Sequence, residues 1–313
     1  MNDQLLIYGK IIIDSIRLRT GELVRSALGG GGPQAAFGAR LWHESVGLLT
    51  RSGTDLEPEH ERALRELGLD LSGWQRYDDL PTPRGLMEYD DNEQQIPVGM
   101  ANSREDWFSL LARPIPLSDA QRQAAALHLI TEFAHEPMVD DALDLRRRGG
   151  LFSLEPIFAP HSCSDRPALL RVSAQADLVT PDWPAASSLA GSEDLPTVLR
   201  FWAGLGARAV AIRHGAHGSY VIDCASQRAW HLPVLPVELV DPTGAGNAYG
   251  GGWCAGWLAS HDARVAGCYG AVAATIMVGH QGMPALTDSV RRQAAELLPI
   301  ALERAAELPS FEF

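Results

Sequence analysis

The sequence predicts an α/β fold, a mainly parallel central sheet with helices around it and a small β lid, and three observations carry that expectation. Short apolar runs of strand type alternate with longer amphipathic stretches, the rhythm of βα units. Two segments interrupt that rhythm with hairpin-like alternation. Beyond Val240 the pattern becomes helical to the end.

The strand-like runs are Leu5 to Ile13, Val46 to Leu49, Leu127 to Thr131, Leu151 to Leu154, Leu178 to Thr180 and Ala209 to Arg213. Helical periodicity covers Ala35 to Trp42, Pro58 to Leu67, Val139 to Arg147 and Leu195 to Leu205. The tail adds Ala245 to Leu258, Ala263 to Val278 and Ser289 to Glu307. Ser15 to Leu28 alternates around Thr20-Gly21, and Gly85 to Val98 alternates around Asp90-Asp91-Asn92. These segments predict lid hairpins within about 14–30 and 82–100, over the carboxyl ends of the parallel strands.

A chain of 313 residues suits one large domain, 1–313, with a substantial core. Its net charge of −13 disfavours nucleic acid and anionic membrane surfaces as partners. The densest basic run, Arg146-Arg147-Arg148, follows Asp140, Asp141 and Asp144 and reads as a solvated helix end. Four cysteines, Cys163, Cys224, Cys254 and Cys268, have no metal or redox spacing, which fits free thiols in a reducing compartment. No apolar run approaches the ~20 residues of a membrane span, and the first residues read as a strand instead of a signal peptide, so a cytoplasmic location is expected.

The most informative segment is Asp241-Pro242-Thr243-Gly244-Ala245-Gly246-Asn247-Ala248-Tyr249-Gly250-Gly251-Gly252, which opens a helix. Glycines let a ligand approach the backbone, and the helix start adds unpaired N–H groups and the positive end of its dipole. Such a place binds anions, including a phosphoryl group in transfer. A plain helix start, with Asp241 or Thr243 as the cap, accounts for the same residues. A Walker-type P-loop is absent, the only lysine being Lys10. Gly244, Gly246 and Gly250 have some likeness to a dinucleotide loop, but no strand with a ribose-binding acid follows.

This segment resembles the C-terminal signature of the PfkB/ribokinase-like family of carbohydrate kinases, D-[TP]-[TV]-G-A-G-D-x-[FY]-x-[GA]-[GA]. The resemblance covers essentially the whole chain. It implies a ribokinase-like three-layer αβα sandwich, with Gly244, Ala245 and Gly246 as the anion hole and residue 247 at the position of the catalytic base. Asp14 matches the aspartate that holds sugar hydroxyls. Gly29 to Ala36 resembles the N-terminal signature G-G-x-G-x-N-x-A and puts Gly30, Gly31, Gly32 and Gln34 against the substrate, Gln34 in place of asparagine. Taken alone, the same four glycines also fit a flexible loop, although the helix expected to start at Pro33 favours a fixed turn. Thr82 to Tyr89 resembles the second lid segment.

On the nucleotide side, the resemblance assigns Asp182, Arg213, Gly215, Gly218 and Ala274. Ala185 stands where the family's N-x-x-E motif has its magnesium-organising glutamate. Asp241 and Thr243 resemble residues that help hold a monovalent cation such as K+. ATP and Mg2+ are the implied cofactors, a small hydroxylated molecule the implied substrate, and pairing of two copies through the lid the implied assembly.

The base position holds Asn247, and an amide takes up no proton near neutral pH. General-base help is worth ~10²- to 10⁴-fold, whereas phosphoryl transfer depends chiefly on positioning and charge stabilisation. The leading expectation is an ATP-dependent phosphotransferase acting on a hydroxyl of a sugar, polyol or nucleoside. The alternatives are a catalytically impaired relative that binds nucleotide or metabolite as a regulator, and a different small-molecule transferase or binder on the same fold. His214 and His217 read as surface histidines, and Trp183, Trp202, Trp253 and Trp257 as packing residues.

Overall fold

The computed structural model describes residues 2–17, 21, 23–89, 95–132, 136–158 and 165–309. The first strand, β1 (Leu5–Tyr8), is followed by two lid strands, β2 (Ile12–Arg17) and β3 (Leu23–Gly29), and by helix α1 (Gly32–Arg40). Next come β4 (Val46–Gly53), α2 (Pro58–Glu66), β5 (Trp74–Tyr77), β6 (Arg84–Tyr89), β7 (Gln95–Met100) and α3 (Arg104–Ala112). The central part comprises β8 (Ala126–Thr131), α4 (Pro137–Arg147), β9 (Leu151–Pro156), α5 (Arg166–Ser173), β10 (Leu178–Val179), α6 (Trp183–Ala190) and α7 (Leu195–Ala203). The chain then forms β11 (Ala209–Arg213), β12 (Ser219–Asp223), β13 (Arg228–Leu232), α8 (Ala245–Ser260), α9 (Ala263–Val278), α10 (Asp288–Arg304) and β14 (Ala306–Glu307).

Ten strands form the main sheet in the order β14-β13-β12-β11-β10-β9-β8-β1-β4-β5. Pairing is parallel from β5 through β11 and antiparallel from β11 to β14. Alternation along β1 divides the apolar interior in two: Leu5 and Ile7 pack with α1, α8 and α9, whereas Leu6 and Tyr8 pack with α4, α5, α6 and α7. Two separate cores on opposite faces of one sheet make the expected three layers. Strand order reverses beside β1, flanked by β4 and β8, and open α/β sheets bind ligands off the carboxyl strand ends at such a point.

The run from Leu5 to Ile13 is two strands. β1 stops at Tyr8 because Gly9 passes Gly32 so closely that a Cβ would collide with its Cα and lie 2.6 Å from its amide nitrogen. Beyond it, β2 enters a second sheet of order β3-β2-β6-β7, in which β2 and β6 run parallel and each pairs antiparallel with its own hairpin partner. The two expected hairpins therefore join into one four-stranded lid. Thr20 and Asp90-Asp91-Asn92, read as turn residues, lie outside the described residues, as does Cys163; Cys224, Cys254 and Cys268 are free. The last helix ends at Arg304, and Ala306–Glu307 instead pairs with β13.

Helix α8 packs on α1 with backbone nearly touching backbone. A Cβ on Gly38 would meet the Ala248 carbonyl, and one on Gly251 would meet the carbonyl of Ala35. Overpacking of this kind costs about 1–3 kcal/mol. Gly251→Ala is expected to lower unfolding free energy by roughly that amount, measured as a fall in the urea midpoint at unchanged slope.

Candidate functional site

Two glycine-rich turns meet at the carboxyl end of β1. Gly30 and Gly31 have φ of 88° and 85°, a region other residues rarely enter, so the four-glycine run is a fixed turn. Gly31 is the residue before α1, and a Cβ there would lie 3.0 Å from Nδ2 of Asn247. Gly29, two residues earlier, abuts the carboxylate of Asp14, which Gly85 of β6 approaches from the other side, its Cβ position 2.6 Å from Oδ1. Asp14 and Asn247 thus flank one short turn, and two residues of chain span at most about 7 Å.

Helix α8 begins without a side-chain cap. Its N-cap is Gly244, at φ 78°, so neither Asp241 nor Thr243 serves as expected of a plain helix start. Asp241 is buried, with one oxygen accepting from the Thr243 amide at 2.9 Å and the other from Gly282 at 3.2 Å. It thereby ties the turn before α8 to the loop after α9. The Ala245 amide contacts the Pro242 carbonyl at 3.3 Å. The amides of Gly246 and Asn247 take no protein acceptor among the described residues and remain for an anion.

Under this helix start sits a charged group that the sequence reading missed. Glu155, closing β9, is 2% exposed. Its Oε1 accepts from Asn247 Nδ2 at 2.8 Å and pairs with Arg213 Nη1 at 2.9 Å. Its Oε2 lies 3.5 Å from Nε2 of the buried His128, whose Nδ1 is 2.8 Å from Ser153 Oγ. The glycines of the motif make room for this cluster: a Cβ on Gly246 would strike Arg213, and one on Gly250 would come within 2.6 Å of Glu155 Oε2. One signal was available in the sequence, a lone acid ending an otherwise apolar strand.

Gln34 is buried, donates from Nε2 to the Leu28 carbonyl at 2.5 Å and packs against Gly244. Its Oε1 has no protein partner among the described residues, nor does Asp14 Oδ1. Two buried acceptors left open around one turn suit a ligand that donates hydroxyl protons.

Arg213 joins the helix start, while Gly215 and Gly218 shape the turn after β11 with φ of 51° and 85°. Asp182 caps α6 through the Ala185 amide at 2.9 Å, and its backbone bridges to Arg213. Ala185 is fully buried, so no carboxylate occupies that place. Ala274 is half-buried on α9 and packs against the α8 side of the core. Trp183 stacks on His214 at 4.2 Å and 14°, so neither is simply a core or surface residue. Trp202 and Trp253 are core residues as expected.

The glycine cradle, the open helix amides and Arg213 fit a polyphosphate. Among the described residues no three acids, histidines or cysteines converge as a metal cage. Among them, too, no helix is long and apolar enough to cross a membrane.

A large α/β domain with a β lid over an anion-binding helix start is the plan of a small-molecule kinase. The family model described as pfkB family carbohydrate kinase matches residues 2–288, and the chain belongs to that family. It is 28% identical to a cytidine kinase of Thermococcus kodakarensis over 81% of this chain and 88% of that one. It is 25% identical to a nucleoside kinase of Methanothermobacter thermautotrophicus, over 87% of this chain and 86% of the other. Among solved structures, a Ribokinase II candidate of E. coli in complex with ATP and Mg2+ superposes with a TM-score of 0.76 at 18% identity, covering 96% of this chain and 100% of that one. Arabidopsis thaliana ribokinase with ribose and ATP gives 0.68 at 21%, covering 95% and 99%.

Burial pushes the Asp14 carboxyl up to about 6. The folded chain therefore keeps a proton that the unfolded chain releases, so this contribution to stability is present at low pH and lost as pH rises through about 6. Asp14→Asn should stabilise the protein by on the order of 1–3 kcal/mol at about pH 8 and change little near pH 4. Urea unfolding of both proteins at the two pH values measures this.

Proposed function

We propose that the chain transfers the γ-phosphoryl group of ATP to a hydroxyl of a nucleoside or sugar, with Mg2+ on the phosphates. The observation that carries this reading is the junction of the Gly29 to Gly32 turn with the α8 start, where the buried Asp14 carboxylate and an uncapped helix start flank one turn. Asp14, with the open acceptor of Gln34, would hold the acceptor molecule by its hydroxyls. Gly244, Ala245 and Gly246 would cradle the transferring group, and Arg213 would balance its charge. With Mg-ATP bound, the metal would supply charge neutralisation at the phosphates, beside the α8 amides and Arg213.

Asn247 Oδ1 takes no donor among the described residues and would accept the hydrogen bond of the attacking hydroxyl, orienting it. The new O–P bond forms as the bond to the leaving diphosphate breaks, and the hydroxyl proton passes to an oxygen of the transferred phosphoryl group. A loose transition state asks little of a base early in the reaction. Asp241 and Thr243 would hold K+ at the far side of the helix start, and Asp182, Gly215, Gly218 and Ala274 would border the nucleotide. Two copies would pair through lid edges, in the cytoplasm where ATP is supplied.

Asn247 is also the one observation that favours the second reading, a nucleotide-binding regulator without turnover. A panel of nucleosides, sugars and polyols with Mg-ATP separates the two, with product detected as ADP and as the phosphorylated acceptor. Turnover with a nucleoside or sugar is expected, and stabilisation by ATP without transfer to any acceptor would establish the regulator. Gly246→Val should lower kcat by about 10²-fold or more, the range seen when an oxyanion donor is lost, because its side chain would displace Arg213 from the helix start.

A further inference from the structure

We propose that Glu155 is a positioning residue for phosphoryl transfer, and that Glu155 and Asn247 form a matched pair dividing between them what one carboxylate at 247 would otherwise do. The kinetic part of this proposal rests on the kinase reading above.

An ionised carboxylate only accepts hydrogen bonds, so Glu155 dictates which way round the Asn247 carboxamide sits. Nδ2 must face Oε1 of Glu155, at 2.8 Å, and this leaves Asn247 Oδ1 to the cleft. Gly31 lies against the carboxamide, its Cβ position 3.0 Å from Nδ2 and 3.4 Å from Oδ1, so the group has little room to turn. The same Oε1 holds Arg213 Nη1 at 2.9 Å, beside Gly246. One buried carboxylate oxygen thereby fixes both polar side chains at the start of α8.

The pairing also explains why an amide occupies 247. An aspartate there would set a second carboxylate oxygen about 2.8 Å from Glu155, and two acids so close cannot both ionise. The charged and titratable groups around Glu155 are Arg213 on β11, His128 on β8 and Asp182, which shares the field of Arg213. Among the described residues Arg213 is the one permanently charged cation paired with Glu155, sufficient for one carboxylate and not for two.

The test compares the native protein with Glu155→Gln, Asn247→Asp and the exchange of both, Asn247→Asp with Glu155→Gln. The exchange keeps the hydrogen bond between the two positions and the total charge, reverses donor and acceptor, and moves the negative charge near Arg213 from 155 to 247. Thermal unfolding between about pH 5 and pH 9 reads the pair without any substrate. Asn247→Asp should lose stability progressively as pH rises, because folding then requires a retained proton, whereas the native protein and the exchange should differ little in profile. With a nucleoside or sugar acceptor, Glu155→Gln should lower kcat roughly tenfold or more with KM nearly unchanged, as expected for a misoriented group, and the exchange should recover most of it. Under the same conditions Asn247→Asp should gain activity only on the alkaline side.

If the Asn247→Asp stability profile overlays the native one, or the exchange is no better than Asn247→Asp, the matched pair is wrong. Unchanged kcat and pH profile in Glu155→Gln would remove the positioning role even if the pair is real. If no form of the protein, native included, phosphorylates any acceptor, the kinase reading falls, and the stability profiles still decide the pair.

Discussion

The close approach of α8 to α1 is the constraint on which the site depends. Gly38 and Gly251 let the two helices meet backbone to backbone, and each helix is preceded by one of the two glycine turns. Only at that separation does Gly31 reach Asn247 and the Asp14 side of the turn join the start of α8. A larger residue at either contact would wedge the turns apart while leaving each turn locally intact.

A second consequence of that approach is electrostatic. With α8 packed over β8 and β9 and Arg213 reaching its first turn from the end of β11, polar side chains of these strands lie beneath it. Glu155, His128 and Arg213 are thereby held in a place nearly closed to water, where a charge needs a partner. Arg213 neutralises Glu155, and Asn247 adds a donor without adding charge. The amide that looks like a lesion in the signature is consistent with its surroundings once they are assembled.

Much of the fold was legible because its signals are local. The parallel strands are continuous apolar runs, and the helix opening at residues 244 to 247 is announced by its glycines. The break after Tyr8 was not legible, since Gly9 ends the strand by passing Gly32, a contact made only after α1 is docked. The strands β12 and β13 escaped notice because each is short and mixes polar and aromatic residues. In the site, Asp14, Asn247 and the glycines could be read from motif order. Glu155 and His128 could not, because their meaning comes from being brought together by strands 25 residues apart in register. Asp241 was read as a cation ligand, and the fold gives it a second task, joining two loops through backbone amides.

The single lysine among 26 basic residues has a consequence of its own. Lys10 is buried and paired with Glu132, one residue past the glycine that ends β1. The permanent positive charge of the surface side chains is therefore guanidinium, which keeps its proton at any pH a protein survives. Amine-directed chemistry such as acylation or reductive methylation finds just one side-chain nitrogen to modify, hidden at the border between sheet and lid, so the rate of that modification is a built-in gauge of how often the border opens.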